Sequence, residues 1–157
     1  MKKKFSIFYT FSIIFIFSLS FFKNVSANEY IEFLSLKNNE VNVRVGPSKD
    51  YPIKFIYKKK NLPLKIIDKF ETWRKVSDFE KNSGWIHISQ LSKRKSAINI
   101  NSNVIIYKKP TIYSKPIVKL EAGRLVLIKK CKKKWCKIST GNFTGWIFEK
   151  SLWGRIK

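Results

Sequence analysis

The sequence predicts an all-β protein built as two small barrels in tandem, and three observations carry that prediction. Apolar and polar residues alternate in short runs rich in β-branched and aromatic side chains, the pattern of half-buried strands. After residue 28 no window of helical length carries an apolar stripe at helical spacing. The chain also repeats itself at an interval of about sixty residues. Composition agrees with a folded protein: 44% of the 157 residues are hydrophobic and 15% aromatic, too much apolar surface for a disordered tail despite a net charge of +23. One His and two Cys leave little material for a metal site or a thiol protease.

Taken in order, residues 1–27 read as an export signal to be set aside before fold reasoning. Lys2, Lys3 and Lys4 form a basic start, Phe5 to Phe22 is an uncharged apolar run, and Val25-Ser26-Ala27 offers small residues for cleavage after Ala27. The apolar run of 18 residues also reaches the length of a spanning helix, so the alternative is an uncleaved anchor. Either way the remainder is expected outside the cytoplasm, in the periplasm or cell envelope. Removing residues 1–27 takes four Lys from the 33 basic residues and none of the 10 acids, leaving 29 against 10, a formal +19.

Residues 28–92 form the first expected barrel. Val41 and Val43 alternate with Asn42 and Arg44, and Gly46-Pro47-Ser48 breaks that strand. Leu64, Ile66 and Asp68 run toward Phe70, Trp73 to Val76 follows, and Asn82-Ser83-Gly84 turns into a last strand at Trp85-Ile86. Four or five such strands cannot cover both faces of an open sheet, so closure into a barrel is the expected solution. Residues 93–103 are expected to join the copies as a coupled segment, half linker and half strand, in which Ile98 and Ile100 alternate with Asn99 and Asn101. Residues 104–157 are the second copy. Val104 stands over Val41, Pro110 over Pro47, Pro116-Ile117 over Pro52-Ile53, Trp135 over Trp73, Gly145-Trp146-Ile147 over Gly84-Trp85-Ile86 and Leu152 over Leu91, with offsets between 61 and 64. Each copy is marginal alone, and packing the two together gives both a shared apolar seam.

Those landmarks carry a family resemblance. The run Val41-Asn42-Val43-Arg44-Val45-Gly46-Pro47-Ser48, then Tyr51-Pro52-Ile53, Trp73, Gly84-Trp85-Ile86 and Leu91, resembles the bacterial SH3-like (SH3b) domain of exported cell-envelope proteins. The second copy resembles the partner repeat of tandem versions, departing where Tyr107, Lys108 and Lys109 replace Arg44, Val45 and Gly46. The resemblance implies two small five-stranded SH3-like barrels, a 3-10 turn near Ser89–Leu91, and binding without catalysis. It points to the cell wall. Peptidoglycan or another anionic envelope polymer is the expected partner, and the alternative is an adaptor taking an extended peptide of a periplasmic protein. No nucleic acid and no cofactor are expected, and membrane contact only through an uncleaved N-terminal segment or anionic lipid.

Candidate residues follow from this reading. Trp85 and Trp146 either pack against the barrels or floor an aromatic groove with Trp73. Arg44 and Tyr51 flank the Gly-Pro-Ser turn at its border, with Arg44 free to hold a carboxylate or to pair with Asp50. Lys129, Lys130, Lys132, Lys133, Lys134 and Lys137 surround one hairpin tip, where mutual repulsion favours a polyanion. Lys, Ile, Asn and Phe share AT-rich codons, so compositional bias is the competing source of that charge. Cys131 and Cys136 face each other across the same hairpin and are expected to form a structural disulfide. Asp50, Asp68, Glu71 and Asp78 lie in or beside turns and read as solvated carboxylates. His87, without an orienting acid or nucleophile, reads as exposed or capping. No catalytic residue and no metal ligand is expected.

Overall fold

Strand register shows directly how the two copies were written. The computed structural model describes residues 31–156, and the expected export signal lies outside them. Among the described residues there is no α-helix. In the first copy β1 (Phe33–Leu36), β2 (Val41–Arg44), β3 (Ile53–Tyr57), β4 (Pro63–Phe70), β5 (Trp73–Ser77), β6 (Ser83–His87) and β7 (Leu91–Ser92) form one antiparallel sheet. Its order is β3-β2-β6-β5-β4-β1-β7. Seven strands stand where five were expected because β1 and the two-residue β7 also join the sheet. Alternation fixes which face turns inward: Val41 and Val43 are buried while Asn42 is exposed. The sheet curls around one core, since Leu34 and Leu36 of β1 and Leu91 of β7 share a cluster with Phe55 and Tyr57 of β3, the opposite edge. Each such side chain contributes roughly 1.5–3 kcal/mol on burial.

The second copy repeats this plan. Its strands are β8 (Ser96–Asn99), β9 (Val104–Tyr107), β10 (Pro116–Leu120), β11 (Leu125–Lys132), β12 (Trp135–Thr140), β13 (Phe143–Phe148) and β14 (Leu152–Gly154), ordered β10-β9-β13-β12-β11-β8-β14. Irregularities recur too: register slips after Ile66 in β4 and after Ile128 in β11, giving both sheets a bulge at the same place. The paired Gly-Trp landmarks have a common cause. A Cβ on Gly84 would overlap Val43 Cγ1 and lie 2.9 Å from the Arg44 carbonyl oxygen, and one on Gly145 would lie 2.7 Å from that of Tyr107. Only glycine lets β6 cross β2, and β13 cross β9, this closely.

The expected joining segment is divided. β8 pairs with β11 and β14, so the second sheet begins at Ser96 and only Lys93–Lys95 connects the copies. The expected alternation of Ile98 and Ile100 with the asparagines also gives way. Ile98 and Asn99 are both buried and Ile100 is exposed. The reason is that β8 is covered on both faces: Ala97 belongs to the second core, whereas Ile98 completes the first. Around it runs a seam made by matching positions of the two copies. Ser35 donates to the Arg94 carbonyl at 2.7 Å and lies 2.7 Å from the Ser96 hydroxyl, Leu125 packs on the first core, Phe33 meets Trp153 edge to face at 5.0 Å, and Arg155 Nη1 donates to the Phe33 carbonyl at 3.0 Å. Residues 31–156 thus lie in one compact unit carrying both cores.

Candidate functional site

In the first copy, pairing places the candidate aromatic and basic side chains together on the outer face. Arg44 is opposite Trp85, Trp85 opposite Lys75, and Trp73 opposite His87, and directly paired residues share a face. At one end of this face lies a cleft of about 400 Å³ lined by Glu40, Asn42, Arg44, Lys49, Trp73 and His87, among others. Arg44 and Lys49 supply two cationic groups against one carboxylate, Glu40, which also lies 3.9 Å from Lys58 Nζ. The Trp73 indole, nearly buried, meets the His87 ring edge to face at 5.3 Å. His87 acts as the expected cap: its Nδ1 lies 2.8 Å from the Ser89 hydroxyl at the start of the 3-10 turn Ile88–Gln90.

Other expectations separate. The Arg44–Asp50 ion pair does not form: Arg44 Nη1 donates to the Tyr51 carbonyl at 2.6 Å, while Asp50 accepts from Ser48 Oγ at 2.8 Å. A turn carbonyl lies within reach of the guanidinium, and the nearby hydroxyl satisfies Asp50 locally. The Tyr51 ring lies flat on Gly46, 2.6 Å from where a Cβ would be, so it seals the loop and does not line the cleft. Asp78 is buried at 7% exposure, contrary to its reading as a solvated carboxylate. It accepts from the Glu80 and Asn82 amides, from Asn82 Nδ2 and from the Tyr57 hydroxyl, locking the β5–β6 turn. Burial of Tyr57, followed by the charges and hydrogen bond of Asp78 and the charge of Glu80, raises the phenol well above its usual range.

The second copy fills the corresponding place with rings. Register sets Tyr107 where Arg44 stands, Trp135 where Trp73 stands and Phe148 where His87 stands. Trp135 and Phe148 stack at 3.9 Å, and Tyr107 meets Trp135 edge to face at 5.8 Å. Trp146 lies on this face, with Lys130 Nζ 5.9 Å from its ring centre, and Lys150 Nζ is 5.7 Å from that of Phe148. The hairpin lysines are distributed. Lys130 opposes Lys137 and Lys132 opposes Trp135, putting these three on the aromatic face, Lys129 is the bulge residue, and Lys133 and Lys134 form the turn. Between them the Cys131–Cys136 disulfide is formed and points inward, Cys136 being part of the second core. Among the described residues no group of His, Cys, Asp and Glu side chains is arranged to hold a metal ion.

Sequence reasoning reached Arg44 and Trp73 but passed over Lys49, and it took His87 only as exposed or capping. Setting the copies residue against residue, Arg44 on Tyr107 and His87 on Phe148, is the signal that separates a polar cleft from a face lined by rings.

A family model described as bacterial SH3 domain matches residues 37–93 and 101–154. No curated protein sequence matches the chain. Similar solved structures include NlpC2 and NlpC1 from Trichomonas vaginalis, both 16% identical, with TM-scores of 0.36 and 0.35. The matches cover 78% and 81% of this chain but 48% and 47% of those chains, so the chain spans about half their length.

Proposed function

We propose, for a chain that belongs to the bacterial SH3 domain family, a non-catalytic binding module of the cell envelope that recognises peptidoglycan or another anionic wall polymer. The observation that carries this reading is the first-copy cleft, whose lining brings together Arg44, Lys49 and Trp73. Two cations suit a carboxylate of a peptide stem, and the small exposed margin of the Trp73 indole adds an apolar contact beside them. The lysines of the second-copy hairpin add a field that draws a polyanion toward the surface. A disulfide and the apolar N-terminal segment support an exported protein.

The test is co-sedimentation of residues 28–157, oxidised, with purified sacculi across a salt series. Arg44→Gln with Lys49→Gln is expected to weaken binding about tenfold, the worth of losing one or two charge-assisted hydrogen bonds. Absence of binding at low salt, or binding indifferent to both salt and the double variant, refutes the reading.

A second reading rests on sheet edges. β3 and β10 are terminal in their sheets and present an open side, which an extended peptide of a partner protein would extend as a further strand. Such binding is held by main-chain hydrogen bonds and responds little to salt.

A further inference from the structure

The loop that follows the second strand is the same loop in both copies with opposite chemistry at its tip. Val45 donates to the Pro52 carbonyl at 3.2 Å in the first copy, and Lys108 to the Lys115 carbonyl at 3.0 Å in the second. With that shared closure, Gly46 corresponds to Lys109, Lys49 to Ile112, Asp50 to Tyr113 and Tyr51 to Ser114. The first loop folds its aromatic ring down onto Gly46 and shows a charged pair to solvent. The second cannot do this, having neither the glycine nor a ring in that place. Ser114 Oγ instead accepts from the Lys109 amide at 2.9 Å, and the exposed tip becomes Ile112 at 53% and Tyr113 at 92% exposure.

Three further observations describe what this tip fits. Residues 104–120 contain Lys108, Lys109, Lys115 and Lys119 and no Asp or Glu, so the apolar tip rises from a purely cationic collar. Ile105 and Ile117 in the strands of the same hairpin are also more than a third exposed. The loop backbone is bonded within itself, Thr111 to Lys109 at 2.8 Å, Ser114 to Thr111 at 3.2 Å and the Tyr113 amide to Thr111 Oγ1 at 3.3 Å. Those amides carry little desolvation penalty on leaving water, which is the requirement for entering a lipid interface.

We propose that the β9–β10 hairpin docks on an anionic phospholipid bilayer, Ile112 and Tyr113 entering the interfacial region while Lys108, Lys109 and Lys115 pair with headgroup phosphates. Tyrosine suits that depth, with an apolar ring and a polar end. Each lysine held near an anionic surface is worth about fivefold in binding. Charge complementarity favours this occupant over a neutral bilayer, and a preformed tip has no ordering cost to meet on arrival.

The experiment is flotation of residues 28–157 with vesicles of pure phosphatidylcholine and of phosphatidylcholine containing a quarter phosphatidylglycerol. Starting at residue 28 removes the apolar Phe5–Phe22 run, which would bind lipid by itself, and keeps the unit that holds both cores. Wild type is expected to float only with the anionic vesicles. Ile112→Ser with Tyr113→Ser is expected to lose about tenfold or more through the apolar term. Lys108→Gln, Lys109→Gln and Lys115→Gln together should lose more, whereas Lys58→Gln, Lys59→Gln and Lys60→Gln, an equal charge change on the first copy, should lose far less. All substitutions are at exposed positions, and circular dichroism checks that each variant is folded. If the serine variant floats like wild type, the tip has no role, and if the two lysine triples fall equally, generic charge explains the binding; either result overturns the proposal. No flotation at low salt overturns the proposal and leaves the hairpin to a protein partner.

Discussion

Changing Ile98 to Ala tests whether the two barrels fold as one. Ile98 belongs by pairing to the second sheet, opposite Leu125, yet it is 1% exposed within the core of the first. The substitution removes three carbons, about 2.4 kcal/mol of burial at roughly 0.8 kcal/mol each. A cavity term raises the cost to about 3–4 kcal/mol, because a strand covered on both faces has little room to collapse. For a unit of this size that lowers the thermal midpoint by about 10 °C. Urea unfolding followed by tryptophan fluorescence should show one transition, shifted as a whole. Hydrogen exchange should lose protection in β2 and β6 of the first barrel, although the altered residue lies in the second. A loss below about 1 kcal/mol, or two separate transitions with the first barrel unmoved, would refute the coupling.

Three further outcomes are expected. Tyr57 is neutral in the fold and its phenol raised, so its contribution is whole below the unfolded value of about pH 10 and is lost as pH rises beyond it, when the unfolded chain ionises first; melts of wild type and Tyr57→Phe on either side of that pH should converge on the alkaline side. Cys131→Ser with Cys136→Ser should cost about 2 kcal/mol by loop entropy, read from denaturation with and without reductant, and a wild type indifferent to reductant would contradict it. Gly84→Ala should destabilise by about 1–3 kcal/mol, since its Cβ overlaps Val43 and crowds the Arg44 carbonyl; a neutral effect on the midpoint would show that β2 and β6 can part freely.

What the sequence made legible was whatever period two and repetition can encode. Val41 and Val43, the Gly-Trp pairs and the cysteines facing across a hairpin all report local geometry, and the structure places them accordingly. β1 and the true role of β8 were hidden for one reason: Phe33–Leu36 and Ser96–Asn99 lie against the seam, three of the first and all four of the second buried, so neither alternates. Asp78 was misread because a carboxylate beside a turn looks solvated until the Tyr57 hydroxyl, twenty-one residues away, closes over it. At the cleft, Arg44 was visible as a residue type. Its partner, a carbonyl, carries no sequence signature, and Lys49 comes into line with it only through the turn of the loop.

The seam has one more consequence. Ser35 and Ile98, Phe33 and Ser96, and Pro63 and Leu125 occupy matching places in the two copies, and all six lie along the contact or the strands that form it. This is the pattern of an isologous dimer interface, in which one patch meets its own image. Free subunits joined in that way would be identical and would separate on dilution. Held in one chain, the pair persists at any concentration and its halves are released from identity, so that one copy keeps a polar cleft while the other stacks its rings and raises Ile112 and Tyr113 into solvent.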